Sequence, residues 1–271
     1  MTVIYPDLKD KTIVITGGLG FLASQFIKSF KKNNSQIIIL DNKKSNEKNF
    51  FKCDITKEKD LRKVSAAIIK KFKKIDVLIN NAANNYGPGS NSRKTKLEFF
   101  DEKIWETDLN VGLKGAMLCT KIFGTKMNKQ SSGGIIINIS SDLGIISPDN
   151  RIYQKGYVKP VSYSVVKHGI IGLTKYTATY WPKKVRCNAI AFGGMENNHD
   201  KAFLKKINNL IPVNRMAKKN EYNGVILFLS SDLSSYINGA TIVVDGGNQN
   251  AKTIEYAGNN QAFIAWVDYR E

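Results

Sequence analysis

Cysteine and histidine are scarce in this chain, acidic residues are in deficit, and long apolar runs are missing. Cys53, Cys119 and Cys187 are odd in number, far apart and form no Cys-x-x-Cys pair. That argues against a disulfide framework and against zinc, and it fits a reducing cytoplasm. With only His168 and His199 to add, no metal site is expected. No apolar stretch reaches the ~20 residues that a membrane helix needs. Residues 1–10 lack the basic start and apolar core of a secretion signal, so neither export nor a membrane partner is expected. Against 41 Lys and Arg stand only 23 Asp and Glu, a net charge of +18. The lysines come as scattered pairs such as Lys31-Lys32, Lys70-Lys71 and Lys205-Lys206, with no long basic tract and no aromatic stacking surface. Solvated lysine-rich faces explain this charge better than nucleic-acid binding, so no nucleic-acid partner is expected.

What is present is an alternation. Short, β-rich apolar runs lie at 12–16, 36–40, 77–80, 134–140, 185–191 and 241–244. Most are apolar at nearly every position, as parallel strands covered on both faces require. Between them lie segments of helical period at 21–32, 59–73, 102–128, 163–180 and 220–229. This order predicts a doubly wound parallel sheet in a three-layer α/β/α arrangement, a single domain over 1–271. The longest irregular stretches, 84–100 and 193–219, are expected to border a ligand, and 193–219 to act as a substrate lid.

Two local patterns carry chemistry. Gly18-x-Gly20-x-x-Ala23 follows the first strand and opens a helix, the setting in which glycines let backbone approach a pyrophosphate. Asp41 ends the second strand, where a carboxylate binds ribose hydroxyls and repels a 2′-phosphate. NAD is therefore favoured over NADP, although Lys43 and Lys44 could accept such a phosphate. The second pattern is Tyr163-Ser-Val-Val-Lys167, just after a helix start at Ser162, which puts a phenol and an ammonium on one helix face. A nearby cation favours the phenolate, and that is how tyrosine becomes an acid/base group near neutrality.

With these, Cys53-Asp-Ile55, Asn80-Asn-Ala82, Ile139-Ser-Ser141, Arg186-Cys-Asn-Ala189, Asn238-Gly239 and Val244-Asp-Gly-Gly247 occur in the order of the classical short-chain dehydrogenase/reductase family, which the chain resembles over nearly its whole length. The resemblance implies a Rossmann-type fold and NAD(P)-dependent interconversion of a secondary alcohol and a ketone. It implies that Tyr163 transfers the proton, Lys167 lowers the tyrosine pKa and binds the nicotinamide ribose, and Ser141, chosen over Ser140, binds the reacting oxygen. Gly17, Gly18, Leu19, Gly20, Phe21 and Leu22 would line the cofactor, with Asp41 at its ribose, Asp54 and Ile55 at the adenine, Asn81 and Ala82 at a ribose, and Gly193 near the nicotinamide. A homodimer or homotetramer is the family's habit.

Several positions depart from the pattern. The family's catalytic asparagine falls on Gly112, with Asn110 two residues earlier and about 200° around the helix. Phe192-Gly193 replaces the usual Pro-Gly. The twenty-two-residue step from Ser141 to Tyr163 is long and carries Arg151, Tyr153, Lys155, Tyr157 and Lys159. Such a loop suits an acidic or phosphorylated, sugar-like substrate, or else a surface contact. The segment 144–181 resembles dehydrogenases of bacterial surface-sugar and flagellin-glycan synthesis. Aromatics in the extension 248–271 (Phe263, Trp266, Tyr269) suggest a subunit contact. The missing asparagine leaves open an alternative, a catalytically weak NAD-binding subunit of the same fold.

Overall fold

The structure, a computed structural model, describes residues 4–85 and 95–251. Seven strands form one parallel sheet: β1 (Thr12–Thr16), β2 (Gln36–Asp41), β3 (Phe50–Lys52), β4 (Val77–Asn80), β5 (Gly134–Ser141), β6 (Val185–Phe192) and β7 (Thr241–Val244). Their order is β3-β2-β1-β4-β5-β6-β7. The longer helices are α1 (Phe21–Lys32), α2 (Glu58–Phe72), α3 (102–129), α4 (Val161–Tyr180), α5 (Lys201–Leu210) and α6 (Asn223–Ser230).

Side-chain alternation splits the core in two. Ile13, Ile15, Ile135, Ile137 and Ile139 pack with Phe26, Phe30 and Leu229 of α1 and α6. Val14 and Ile136, one residue out of phase, pack with Leu61, Ile68, Phe123 and Ala178 of α2, α3 and α4. That is the three-layer architecture expected.

Polar residues inside this frame fix it rather than weaken it. Asn138 of β5 accepts from Asn80 Nδ2 at 2.8 Å and donates to Thr174 Oγ1 of α4 at 2.9 Å, while Asn80 also reaches Thr120 of α3 at 3.2 Å. The Arg186 guanidinium gathers the carbonyls of Ile237, Leu229 and Ser231, and the two amides Asn188 and Asn238 bridge β6 to the chain before β7. Arg186-Cys-Asn-Ala and Asn238-Gly are thus structural motifs here.

The observed elements depart from expectation in four places. β3 was unexpected: it is three residues long, at the sheet edge, too short for a periodic signal. α4 begins at Val161, just after Pro160, and not at Ser162. The long helix α3 contains two π-type stretches, Asn110–Lys114 and Thr120–Gly124. The supposed irregular stretch 193–219 holds α5, capped by the Asp200 carboxylate on Phe203 N–H at 2.8 Å. Its apolar side packs with Ile152, Ile211 and Met216. The C-terminal extension lies mostly outside the described residues, Phe263, Trp266 and Tyr269 included.

The chain runs outward from β1 in one direction through β2 and β3 and in the other through β4 to β7. The carboxyl ends of β1 and β4 therefore border a crevice, where doubly wound sheets bind ligands. Asn138→Ala would remove the bonds that Asn80 and Thr174 make to position 138 and leave a polar gap between the layers, Asn80 keeping Thr120 and Thr174 keeping Ile170 O. It should lower unfolding free energy by about 2–3 kcal/mol in urea titration; a loss under about 0.5 kcal/mol would show that the network does not hold the layers.

Candidate active site

A cavity of about 770 Å³ runs along the carboxyl edge of the sheet, from Asp41 and Asp54 at one end to Tyr163 and Phe203 at the other. At its near end the chain makes a tight turn after β1. Gly17 has φ +61°, and a Cβ there would lie 2.9 Å from Ala82 Cα, so the turn can touch the β4 end only as glycine. Gly20 N–H closes the turn on Gly17 O at 3.0 Å, and α1 starts at the next residue. Leu19, Gly20, Phe21 and Leu22 line the cavity with Gly17. Gly18 does not line it. A Cβ there would meet Ile39 Cγ2 at 2.7 Å, so this glycine serves helix–sheet packing. Asp41 accepts from Leu19 N–H at 3.2 Å and Lys43 N–H at 3.1 Å, at the cavity rim. Asp54 is held ionised below the usual carboxylate range: its partial burial opposes this, but hydrogen bonds from Thr56 prevail. Ile55, Ala82 and Asn81 complete this end, Asn81 donating to Thr16 O at 3.0 Å and Gly17 O at 3.2 Å. The glycine cradle and the rim carboxylate fit a dinucleotide.

At the far end Ser141, Tyr163 and Lys167 converge. Ser141 ends β5 and donates to Asp142 Oδ1 at 2.8 Å. Ser140 is turned away, bonded to the backbone oxygen of Lys167 at 2.9 Å. The buried Lys167 ammonium donates to Ile139 O at 2.9 Å and lies 5.6 Å from the centre of the Tyr163 ring. Its pKa is pushed down to about 8, by burial first and by the Lys159 charge second. Tyr163 is pushed up to about 12, against the expected lowering. Burial is the largest cause; a hydrogen bond with Ser141 works the other way, and the Asp142 charge adds to the rise. Gly193 lies where β6 ends, its N–H on Val244 O and its carbonyl receiving the Tyr222 hydroxyl at 2.7 Å. Phe192 stacks on Tyr222 with ring centres 4.1 Å apart.

At Gly112 a Cβ would sit 2.5 Å from Val166 Cγ1, so this helix contact leaves no space for an asparagine. Asn110 lines neither the large cavity nor the small one beside it. One turn before Gly112, buried Asp108 takes hydrogen bonds from Asn84 Nδ2 at 3.0 Å and Ser162 Oγ at 2.5 Å. Between Asp108, Asn84, Gly112, Tyr163 and Lys167 is a void of about 10 Å³, the size for one water molecule.

The loop from Ser141 to Tyr163 separates into roles. Arg151 pairs with Asp149 at 2.7 Å and its side chain is 79% exposed. Tyr153 stacks on Phe203 of α5 at 5.8 Å and meets Tyr157 edge-on at 5.0 Å. Lys159 Nζ lies 3.9 Å over the Tyr163 ring. His168 is exposed on α4, an ordinary helix residue. Sequence reasoning missed Asp108, Asp142, His199 and Asn248. Asn248 Nδ2 reaches Asp142 Oδ2 at 2.9 Å, which brings the chain after β7 back to the site. Only Asp108 had a usable signal, as an acid one helical turn before the vacant asparagine position. Among the described residues no cluster of His, Cys, Asp and Glu could hold a metal, and no helix is long and apolar enough to cross a membrane.

The buried ammonium has a measurable cost. Lys167 titrates near 8 when folded and near 10.5 when unfolded, so between those pH values only the unfolded chain holds the proton. The lysine's penalty is full below pH 8 and fades as pH rises through 10.5. The stability of wild type relative to Lys167→Met should therefore improve by roughly 2–3 kcal/mol from pH 7.5 to 10.5 in denaturant titrations. A difference independent of pH would refute this account of the site.

A protein-family model described as enoyl-(acyl carrier protein) reductase matches residues 28–249. A 2-dehydro-3-deoxy-D-gluconate 5-dehydrogenase of Dickeya dadantii is 34% identical over 193 residues, 67% of this chain and 70% of that protein. Post-translational flagellin modification protein A of Campylobacter coli is 29% identical over 257 residues, 89% of this chain and 98% of the other. A short-chain dehydrogenase of Leptospira borgpetersenii, solved with bound NAD+, superposes with a TM-score of 0.80 at 28% identity, covering 89% of this chain and 93% of that one. With the parallel sheet, the glycine turn and the Tyr–Lys pair, these matches establish that the chain belongs to the short-chain dehydrogenase/reductase family of NAD(P)-dependent oxidoreductases.

Proposed function

We propose that the protein interconverts a secondary alcohol and a ketone on a small, polar, sugar-like substrate, with NAD as redox partner and Tyr163 as the proton-transfer group. One observation carries the reading: Ser141, Tyr163 and Lys167 meet in the same cavity that Asp41 and Asp54 line at its other end. When bound, the nicotinamide supplies or accepts the hydride. Tyr163, protonated at neutral pH, is suited to give its proton to the oxygen of a ketone, and Ser141 to hold that oxygen. Burial first and the Asp142 charge after it oppose the phenolate that results, and the Lys167 ammonium is the group suited to offset this within the same low-dielectric pocket. In the reverse direction the phenolate takes the alcohol proton, so alcohol oxidation rises with pH. Helix α5 and the rest of 193–219 close the substrate end through Phe203, Ile207 and Met216, which supports a lid.

Asp41 supports NAD: its carboxylate stands at the rim where a 2′-phosphate would meet like charge. The names of relatives, an NAD-dependent glycerol dehydrogenase and the gluconate-derivative dehydrogenase among them, support a polyhydroxy substrate. Exposed Met117, Val165, Tyr176 and Tyr180 on the adjoining helices α3 and α4 support self-association. The closed position at Gly112 favours a second reading, a weakly catalytic subunit. Reduction of NAD by purified protein with any alcohol in a panel of sugar acids, sugar alcohols and nucleotide sugars rejects it.

Two substitutions test the main reading. Tyr163→Phe should reduce turnover by about 10²–10⁴-fold while NADH binding, read by its fluorescence, stays within about twofold; full turnover would sink the mechanism. Asp41→Ser should raise kcat/KM with NADP relative to NAD by about tenfold or more, since it removes a like charge of roughly 1.4 kcal/mol or greater effect. An unchanged ratio would remove Asp41 from cofactor choice.

A further inference from the structure

Resting on that reading, we infer that Lys159 is a specificity-determining residue: its ammonium receives an anionic substituent, a carboxylate by preference, next to the carbinol that reacts. Lys159 is held at both its backbone and its tip. Its backbone N–H is fixed on Asn150 Oδ1 at 3.2 Å, and Pro160 comes next as the cap of α4. Its Nζ donates to Asn85 Oδ1 at 2.8 Å and lies 3.9 Å over the Tyr163 ring. The ammonium thus lies over the tyrosine ring, and both side chains line the cavity. Asn85 takes only one of its three protons.

The other charged groups at this end have partners of their own. Asp149 is paired with Arg151. Asp142 accepts from Ser141 Oγ, Leu143 N–H and Asn248 Nδ2. Asp108 is held by Asn84 and Ser162. Lys167 donates to Ile139 O and faces the tyrosine from the opposite end of the first two turns of α4. Lys206 is turned to Arg151 O. No carboxylate among the described residues comes within ion-pair distance of Lys159. Asp142 attracts it without forming an ion pair, and a half-buried ammonium with open donors and no ion-pair partner is costly unless a ligand supplies the charge. The first turn of the twenty-residue helix α4 carries no acidic residue, so its positive end reinforces the lysine.

Geometry limits where the anion lies. A group touching Lys159 Nζ and an oxygen touching Tyr163 Oη belong to neighbouring parts of one small molecule. The chemical class is a hydroxy acid or its keto acid, with the carboxylate one or two carbons from the reacting centre. Arg151, which the sequence offered equally, is excluded from this role by its pairing with Asp149 at the surface.

The test compares lactate, 3-hydroxybutyrate and gluconate with lactamide, 3-hydroxybutyramide and gluconamide. Each is supplied with NAD+ to wild type, Lys159→Met and Lys159→Arg. Wild type should favour the acid over its amide by about tenfold or more in kcat/KM, mainly through KM. In Lys159→Met the acid-to-amide ratio should collapse towards one, and in Lys159→Arg it should largely persist. A ratio near one in wild type, or the same ratio in Lys159→Met, overturns the proposal. The second result would instead put Lys159 on the tyrosine, lowering both substrates alike. If nothing is turned over, the proposed activity fails, yet the same compounds titrated into the NADH-saturated protein give the same ratio from dissociation constants. Binding of neither acid nor amide there also overturns the anion site. Thermal unfolding of both variants with NADH confirms that the comparison is made on folded protein.

Discussion

Everything distinctive about this site depends on keeping two ammonium groups and a phenol out of water around one strand end. Desolvation pulls both lysine pKa values to about 8 and pushes the tyrosine to about 12. Each shift raises the free energy of the charged form, so the arrangement persists only because the scaffold forces it. β5 supplies the Ile139 carbonyl that binds Lys167, and Pro160 fixes where α4 starts. Tyr163 and Lys167, four residues apart, then share one face of a helix anchored by Asn138–Thr174 and by Val166 against Gly112. Strain of this electrostatic kind has a use in catalysis. Under the proposed mechanism, charge developing on the phenol would meet cations already in place.

The fold was largely legible because its strands are buried on both faces. Ile13–Ile15 and Ile135–Ile137 are apolar at every position, a signal that survives without knowing any partner, and the glycine turn marks the strand-to-helix junction by steric necessity. β3 escaped because an edge strand of three residues carries no period. Helix α5 had its signals, Asp200 as cap and Phe203, Leu204, Ile207 and Leu210 at helical spacing, but the surrounding polar residues diluted them. Of the candidate site, the residues picked out by type and spacing, Tyr163, Lys167, Ser141 and Asp41, line one cavity. Gly18 could not be separated from its neighbours, since the pattern shows that glycine is needed but not whether ligand or Ile39 needs it. Asp142 and Asn248 join across more than a hundred residues, which no local pattern encodes.

Gly112 shows how one position can redirect a site. Its missing side chain lets Val166 of α4 press directly on α3, and that contact sets the distance between the helix carrying Asp108 and the helix carrying Tyr163 and Lys167. One turn earlier, Asp108 is the polar group that α3 turns toward α4, bonded to Asn84 and Ser162. A π-type stretch begins at Asn110, and an extra residue in a helical turn re-aims the side chains beyond it. The void lined by Asp108, Tyr163 and Lys167 has room for about one water. Gly112 and Asp108 line the small void with Tyr163 and Lys167, and Lys159 lies over the Tyr163 ring, so these departures from the family pattern gather around one side chain.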